Sequence, residues 1–348
     1  MRSRLRTLGR VALSGPFVLL SVLVAIGLGA YTALSTIQTP YQILLPGPVT
    51  DVQRLIQPYP KPVKGALYLT TIYSDPANAV EYAAVALYTR FRADAGIVPR
   101  AEARPRNVGE PEYQRLLARM MDESKTAAKV VALRELGYDV KITGQGAQIQ
   151  EVVKGSPADR ALESGDIVIA AGGQPVATSG DLVALIQARK PGESVSLRLR
   201  RNDAERDVSF VLGESPDEPG RARAGVIVLT HLYDYHLPKE LDLQTRDIGG
   251  PSAGLMFALG IYNAFAETDV TRGHLVAGTG SINTEGKVGA VGGVKYKTIA
   301  AQRARVNLLI VPADNFDEAK AHAGSMRVVS VSTFRDALTA LATLPAKD

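Results

Sequence analysis

Ser252 stands in the run Asp247-Ile-Gly-Gly-Pro-Ser-Ala-Gly-Leu-Met-Phe-Ala-Leu-Gly-Ile-Tyr-Asn263, where a hydroxyl meets several features that favour nucleophilic chemistry. Pro251 suits the first position of a helix, and Leu255, Leu259 and Tyr262 recur at helical spacing, so the serine falls in the first turn. The first amides of a helix lack internal partners and its positive end points outward. The backbone N–H groups around Gly250, Ser252 and Ala253 are therefore candidates to hold a developing oxyanion. Glycines at 249, 250 and 254 leave room for a substrate backbone to come close.

A serine needs a base. The chain has four histidines, His231, His236, His274 and His322. Gly250-x-Ser252-x-Gly254 matches the nucleophile-elbow pattern of histidine-dependent hydrolases. The preceding Leu241-Asp-Leu-Gln-Thr-Arg-Asp, however, is too polar for the buried strand that elbow requires, and no His-Gly oxyanion motif precedes it. Acid-then-histidine pairs downstream, Asp269 with His274 or Asp314 with His322, lie very close together for that fold. A lysine is the stronger candidate, and the block Gly278-Thr-Gly-Ser-Ile-Asn-Thr-Glu-Gly-Lys-Val-Gly-Ala-Val-Gly-Gly-Val-Lys295-Tyr-Lys-Thr-Ile-Ala-Ala supplies one. To act near neutrality its pKa must fall by about 3 units, roughly 4 kcal/mol of disfavoured charge, which burial can provide. Val291, Val294 and Ile299 are expected to carry the stem of Lys295 into an apolar layer. Lys297, two positions on, reads as a solvated charge on another face, and Lys287 as a surface turn residue.

Together Gly-Pro-Ser252-Ala-Gly and the Thr279-Gly to Gly-Gly-Val-Lys295 block resemble the two signature segments of the Lon proteolytic domain, in the same order, over about residues 222–348. The resemblance implies an α/β (α+β) domain with Ser252 as nucleophile, Lys295 as general base and Thr279 orienting the lysine. The chain departs from that pattern in having Gly249 where many Lon domains carry an acid, with Asp247 two residues further back. It contains no G-x-x-x-x-G-K-[ST] phosphate loop. No cofactor or metal is implied: His231-Leu-Tyr-Asp-Tyr-His236 lacks the HExxH spacing.

Upstream, residues 141–213 read as a compact β-rich unit: Gly146-Ala-Gln-Ile-Gln-Glu-Val-Val-Lys-Gly-Ser-Pro-Ala158, then Gly165-Asp-Ile-Val-Ile-Ala-Ala-Gly-Gly173, then a helix from Ser179 or Asp181 through Ala188. This resembles a bacterial PDZ domain. A strand beside a helix leaves a sheet edge onto which an extended peptide can add. The resemblance implies that amides near Gly146, Ala147, Gln148 and Ile149 receive a peptide's terminal carboxylate. The polar stretch 214–221 reads as a linker. Before the unit, an apolar strand over Ala66–Tyr73 is a candidate member of the catalytic sheet. Asp75-Pro76 is expected to start a helix bearing Val80, Ala84, Leu87 and Tyr88 on one face, and a second helix is expected from Glu112 to Leu136, stopped by Gly137.

Residues 11–33 carry no charge and have the length of a membrane span. Residues 1–10 hold Arg2, Arg4, Arg6 and Arg10, whereas Tyr31–Gln53 holds no arginine or lysine. The positive-inside rule then keeps the N-terminus cytoplasmic and places residues 34–140 and all that follows outside. Those four arginines account for most of the net charge of +5, so no nucleic-acid partner is expected. With no cysteine, thiol chemistry is excluded. The expected partners are protein or peptide substrates and the membrane; the sequence leaves open whether the chain forms a homo-oligomer. It also leaves open a scaffold whose serine and lysine are vestigial, and the histidine-dependent hydrolase.

Overall fold

The computed structural model describes residues 15–100, 110–215, 220–231, 234–236, 241–245 and 248–347. Asp247, the N-terminal arginines and part of the 214–221 linker lie outside them. The chain divides into two compact units, residues 1–47 with 72–106, and residues 48–71 with 107–348.

In the first unit, α1 (Gly15–Ser35) is an apolar helix whose side chains from Phe17 to Leu34 are exposed. Of the strands that follow, β1 (Gln38–Asp51) and β2 (Ala66–Asn78), residues 38–47 and 72–78 belong to this unit and the rest to the second. The helix expected at Asp75-Pro76 begins later. The strand continues through both residues, and α2 (Ala79–Tyr88) is capped by Asn78, whose side chain accepts from Val80 N and Glu81 N while Glu81 reaches back to Asn78 N. That reciprocal cap satisfies more orphan amides than an Asp-Pro start. Strand β3 (Gly96–Pro99) pairs antiparallel with β1.

The second unit opens with α3 (Glu110–Glu135), which ends before Gly137 at φ +86°. The PDZ-like region then contributes β4 (Ala147–Val152), β5 (Ile167–Ala171), α4 (Ser179–Gln187), β6 (Ser194–Arg201) and β7 (Ala204–Val211). A further strand, β8 (Val226–Thr230), closes that sheet in the order β7-β6-β5-β4-β8. The sheet therefore extends past residue 213, where the sequence suggested a boundary. Ala222 and Ala224 are buried in the same core as Ile149, Leu182 and Leu197.

Beyond it come α5 (Gly254–Phe265), β9 (Leu275–Gly278), α6 (Val294–Arg303), β10 (Leu308–Pro312), α7 (Phe316–His322), β11 (Arg327–Val331) and α8 (Phe334–Ala342). Strands β11, β10, β9 and the Ala66–Leu69 part of β2 run parallel, β9 pairing Ala277 with Leu309 on one side and with Tyr68 on the other. Helix α5 is almost wholly buried, as its apolar composition requires, and with α3 it packs a core holding Leu67, Phe257, Leu259, Ile310 and Phe334.

Candidate active site

The segment bearing Ser252 is positioned by its neighbours rather than by its own helix. Pro251–Ala253 forms a single 3-10 turn that leads into α5. Gly250 before it has φ +79°, a conformation that suits glycine. A Cβ on Gly254 would come 2.5 Å from Ser124 Oγ and 2.9 Å from Ile282 Cγ2, so close packing fixes glycine there too. Helix α3 holds the turn from one side: Ser124 Oγ donates to Pro251 O at 2.9 Å, and Leu117 O accepts from Gly250 N at 3.1 Å. The Gly250 amide is thereby engaged and does not serve an oxyanion, contrary to the expectation from sequence; the amides of Ser252 and Ala253 remain candidates. Nothing in the sequence pointed to Leu117 or Ser124, because their roles exist only once α3 packs on α5.

From the other side, the end of β9 clamps the same turn. Gly280 N donates to Ser252 O at 2.9 Å, Thr279 Oγ1 donates to Ser252 O at 3.1 Å, and Leu255 N donates to Gly280 O at 3.0 Å. Thr279 is itself fixed on the neighbouring strand by its amide, which donates to Ile310 O. The serine thus lies outside the carboxyl ends of parallel strands, the usual place for a site in an open α/β sheet.

The lysine in this site is Lys297. Its side chain is 3% exposed, and its Nζ donates to Thr279 Oγ1 at 3.0 Å. Burial pushes its pKa down to about 7, because removing an ammonium from water penalises the charged form. Lys295, the base expected from sequence, lies elsewhere: its Nζ sits over the Tyr296 ring at 5.2 Å, its amide donates to Glu318, and its side chain is only half-buried. The reason is helical phase. Helix α6 begins at Val294, preceded by the left-handed Gly293, so the inward face carries Val294, Lys297, Thr298 and Ala301 at i, i+3, i+4 and i+7, all buried. Val291 precedes that helix, so its position says nothing about which lysine points inward.

The histidines serve other contacts. His274 Nε2 pairs with Pro345 O at 2.8 Å at the opposite end of β9, five residues and so about 16 Å along the strand from Thr279 at ~3.3 Å per residue. The His231 backbone pairs with Gln145 and Gly146, and His322 ends α7. The side chain of His236 lies outside what the structure describes. Among the described residues before Ser252 the nearest strand is the two-residue Asp242–Leu243, which pairs with Ile56–Gln57 and is not the central strand of a nucleophile elbow. Among the described residues no cluster of three or more His, Asp or Glu side chains is placed to hold a metal ion.

In the PDZ-like sheet, Gly146–Ile149 are not at an edge. β4 is paired on one side with β5 and on the other with β8, Val228 opposite Ile149 and Leu229 opposite Gln148. The amide of Gly146 donates to Ala177 O and that of Ile149 to Asp166 O. The chain's own β8 occupies the position the sequence reading assigned to a peptide, and β8 is the edge strand. Gly225 O accepts from Val153 N, and His231 N and O are bonded to Gly146 and Gln145, so backbone groups at odd positions face β4. By strand alternation those of Val226, Val228 and Thr230 face away. On that side an apolar groove of about 260 Å3 runs between β8 and α4, lined by Leu182, Val183, Ile186, Ala224, Val226 and Val228. Val183 and Val228 also line a neighbouring cavity of about 190 Å3 that reaches Ser124, Pro251 and Ile282. Glu123 of α3 lines that cavity: its Oε1 accepts from Thr230 N at 3.1 Å, from Thr230 Oγ1 at 2.8 Å and from Ser179 Oγ.

These features define a chain that joins a peptide-groove module to a proteolytic-type α/β domain. Residues 134–212 match the PDZ domain, and residues 236–342 match the Lon protease (S16) C-terminal proteolytic domain. The protein carries both domains, behind one N-terminal apolar helix long enough to cross a membrane by length and composition. A Lon protease of Campylobacter concisus is 35% identical over 114 residues, 30% of this chain and 13% of that protein. A probable periplasmic DegP-like serine endoprotease of Hahella chejuensis is 36% identical over 105 residues, 30% of this chain and 22% of that protein. The chain thus spans less than a quarter of the length of either relative. The PDZ domain of an SdrC-like protein from Listeria monocytogenes is 21% identical with a TM-score of 0.24, covering 25% of this chain and 92% of that one.

Proposed function

We propose that this protein is a membrane-anchored, ATP-independent serine endopeptidase acting on extracytoplasmic proteins, with Ser252 as nucleophile and Lys297 as general base. The observation that carries this reading is a lysine buried to 3% exposure, with its pKa near neutral, hydrogen-bonded to a threonine that is in turn bonded to the nucleophile's own carbonyl. Neutral Lys297 takes the Ser252 hydroxyl proton as Oγ attacks the scissile carbonyl carbon. The oxyanion is held by the amides of the 3-10 turn, and the lysine returns the proton to the departing amine. Water, deprotonated by the same lysine, then releases the acyl group from Ser252. Thr279 accepts from Lys297 and orients it. The PDZ groove between β8 and α4 binds an extended peptide on the free edge of β8, with apolar side chains against Leu182 and Ile186.

A labelled fluorophosphonate, followed by peptide mapping, tests the nucleophile. Capture on Ser252 in the wild type, lost in Lys297→Arg and kept in Lys295→Arg, is the expected result. Capture that persists unchanged in Lys297→Arg overturns the assignment of the base.

A further inference from the structure

Helix α2 presents an apolar face that the first unit does not cover. The sequence pattern marked Ala84, Leu87 and Tyr88 as one face of this helix. The structure leaves that face outward: Ala83, Ala84, Leu87, Tyr88 and Phe91 recur at i, i+1, i+4, i+5 and i+8 and are all exposed. Phe91 is 80% exposed, Leu87 59% and Tyr88 44%. Helical turns continue to the end of the stripe, since Phe91 N and Arg92 N both donate to Tyr88 O. The other side is seated on the unit, Tyr82 against Tyr41 at 4.9 Å between ring centroids. Large aromatic and aliphatic side chains lined up in solvent mark an interaction surface rather than a stray exposed residue.

What covers this face follows from where the helix starts. Phe17–Ser35 of α1 has the length and hydropathy of a membrane span, about 29 Å at ~1.5 Å per residue. Two residues later, Ile37 O accepts from Ala79 N at 2.9 Å, so the first turn of α2 is pinned to the point where the chain leaves the span. Helix α2 also packs against α1 itself. A helix that touches the spanning helix and begins at its exit lies at the depth of the headgroups. Its composition suits that depth: Leu87, Tyr88 and Phe91 face outward, Glu81 is the sole acid between residues 79 and 92, and Arg90 and Arg92 close the segment.

We infer that α2 is an interfacial helix whose Ala83–Phe91 face is buried in the headgroup and upper acyl region of the bilayer, with Arg90 and Arg92 toward anionic lipid. This rests on the reading of α1 as a membrane span. The chain has no tryptophan, so single-tryptophan variants report one place each. Full-length Phe91→Trp, Leu28→Trp and Val211→Trp are reconstituted in phosphatidylcholine–phosphatidylglycerol vesicles carrying lipids spin-labelled near the headgroup or deep in the acyl chain. Leu28→Trp reports the span and Val211→Trp the exposed PDZ surface. The expected result is at least a twofold loss of Phe91→Trp emission with the shallow label, less with the deep label, and none for Val211→Trp. Phe91→Trp quenched no more than Val211→Trp, while Leu28→Trp is quenched by the deep label, overturns the inference and leaves the span intact. Emission shielded from aqueous acrylamide yet untouched by either lipid label also overturns it, showing that a second protein surface covers the stripe. An unquenched Leu28→Trp removes the span and this inference together.

Discussion

At the scale of residues, the site depends on which lysine the helix turns inward. The sequence made Ser252, Thr279 and a lysine in the glycine-rich block legible, because each stands in a motif. It did not make the phase of α6 legible. That phase is set by where the helix starts, and Gly293 in the left-handed region fixes the start one residue before Val294. Lys297→Arg should abolish peptide turnover, since a guanidinium keeps its proton at any workable pH and its bulk does not fit a site 3% exposed. Lys295→Arg should retain most of the rate; progress curves on a fluorogenic peptide decide between them. The wild-type rate should rise with pH through about 7, where Lys297 loses its proton. Stability follows the same group. Its folded pKa lies below the unfolded value, so at pH below about 7 the folded state carries a buried charge at full cost, and the cost fades as pH rises toward 10.5. Lys297→Met should therefore raise the unfolding free energy from urea titration most at pH 6, by on the order of several kcal/mol less a lost hydrogen bond of ~1 kcal/mol, and little at pH 10. Equal effects at both pH values would show that the lysine is not buried as a charge.

At the scale of elements, the helix that follows Ser252, the strand at Ala66 and the helix over α3 could all be read from hydrophobic periodicity, as could the PDZ-like order of strand, strand and helix. What periodicity does not give is which strand ends a sheet. Val226–Thr230 reads as an apolar strand like any other, and only its pairing with β4 reveals that the sheet ends at β8 and that Gly146–Ile149 are interior. Val183 tests the groove. It is 40% exposed in the middle of α4, where its side chain is not part of the packed core, so Val183→Asp should fold normally. It should lower kcat/KM for a substrate with an apolar C-terminus by at least about tenfold, the ~1.4 kcal/mol of one lost contact, while sparing a short blocked peptide. Parallel losses on both substrates would mean that the groove is part of the active site. Glu123 tests the tie between α3 and the PDZ sheet. Glu123→Ala strands the Thr230 amide and leaves the Ser179 and Thr230 hydroxyls only each other, and a drop of about 1–3 kcal/mol in urea unfolding is expected.

At the scale of the whole molecule, the proposed topology rests on one asymmetry. Arg2, Arg4, Arg6 and Arg10 precede the apolar helix, and no arginine or lysine occurs from Tyr31 to Gln53. Positive flanking residues are retained on the cytoplasmic side, so the N-terminus should stay inside while both the PDZ and the Lon-type domains are exported. The absence of any cysteine makes this directly measurable, because each introduced thiol is unique. Val211→Cys lies on an exposed strand of the PDZ sheet, and Ser3→Cys precedes the span. In cells stripped of outer layers but with the inner membrane intact, a membrane-impermeant maleimide should label Val211→Cys within minutes, whereas Ser3→Cys should react only after lysis. If the proposed orientation holds, no ATP supply is at hand outside, and the selection of substrates would fall to the β8–α4 groove. Labelling of Ser3→Cys with protection of Val211→Cys would invert the topology and return the substrates to the cytoplasm, where a separate energy source for unfolding would be available.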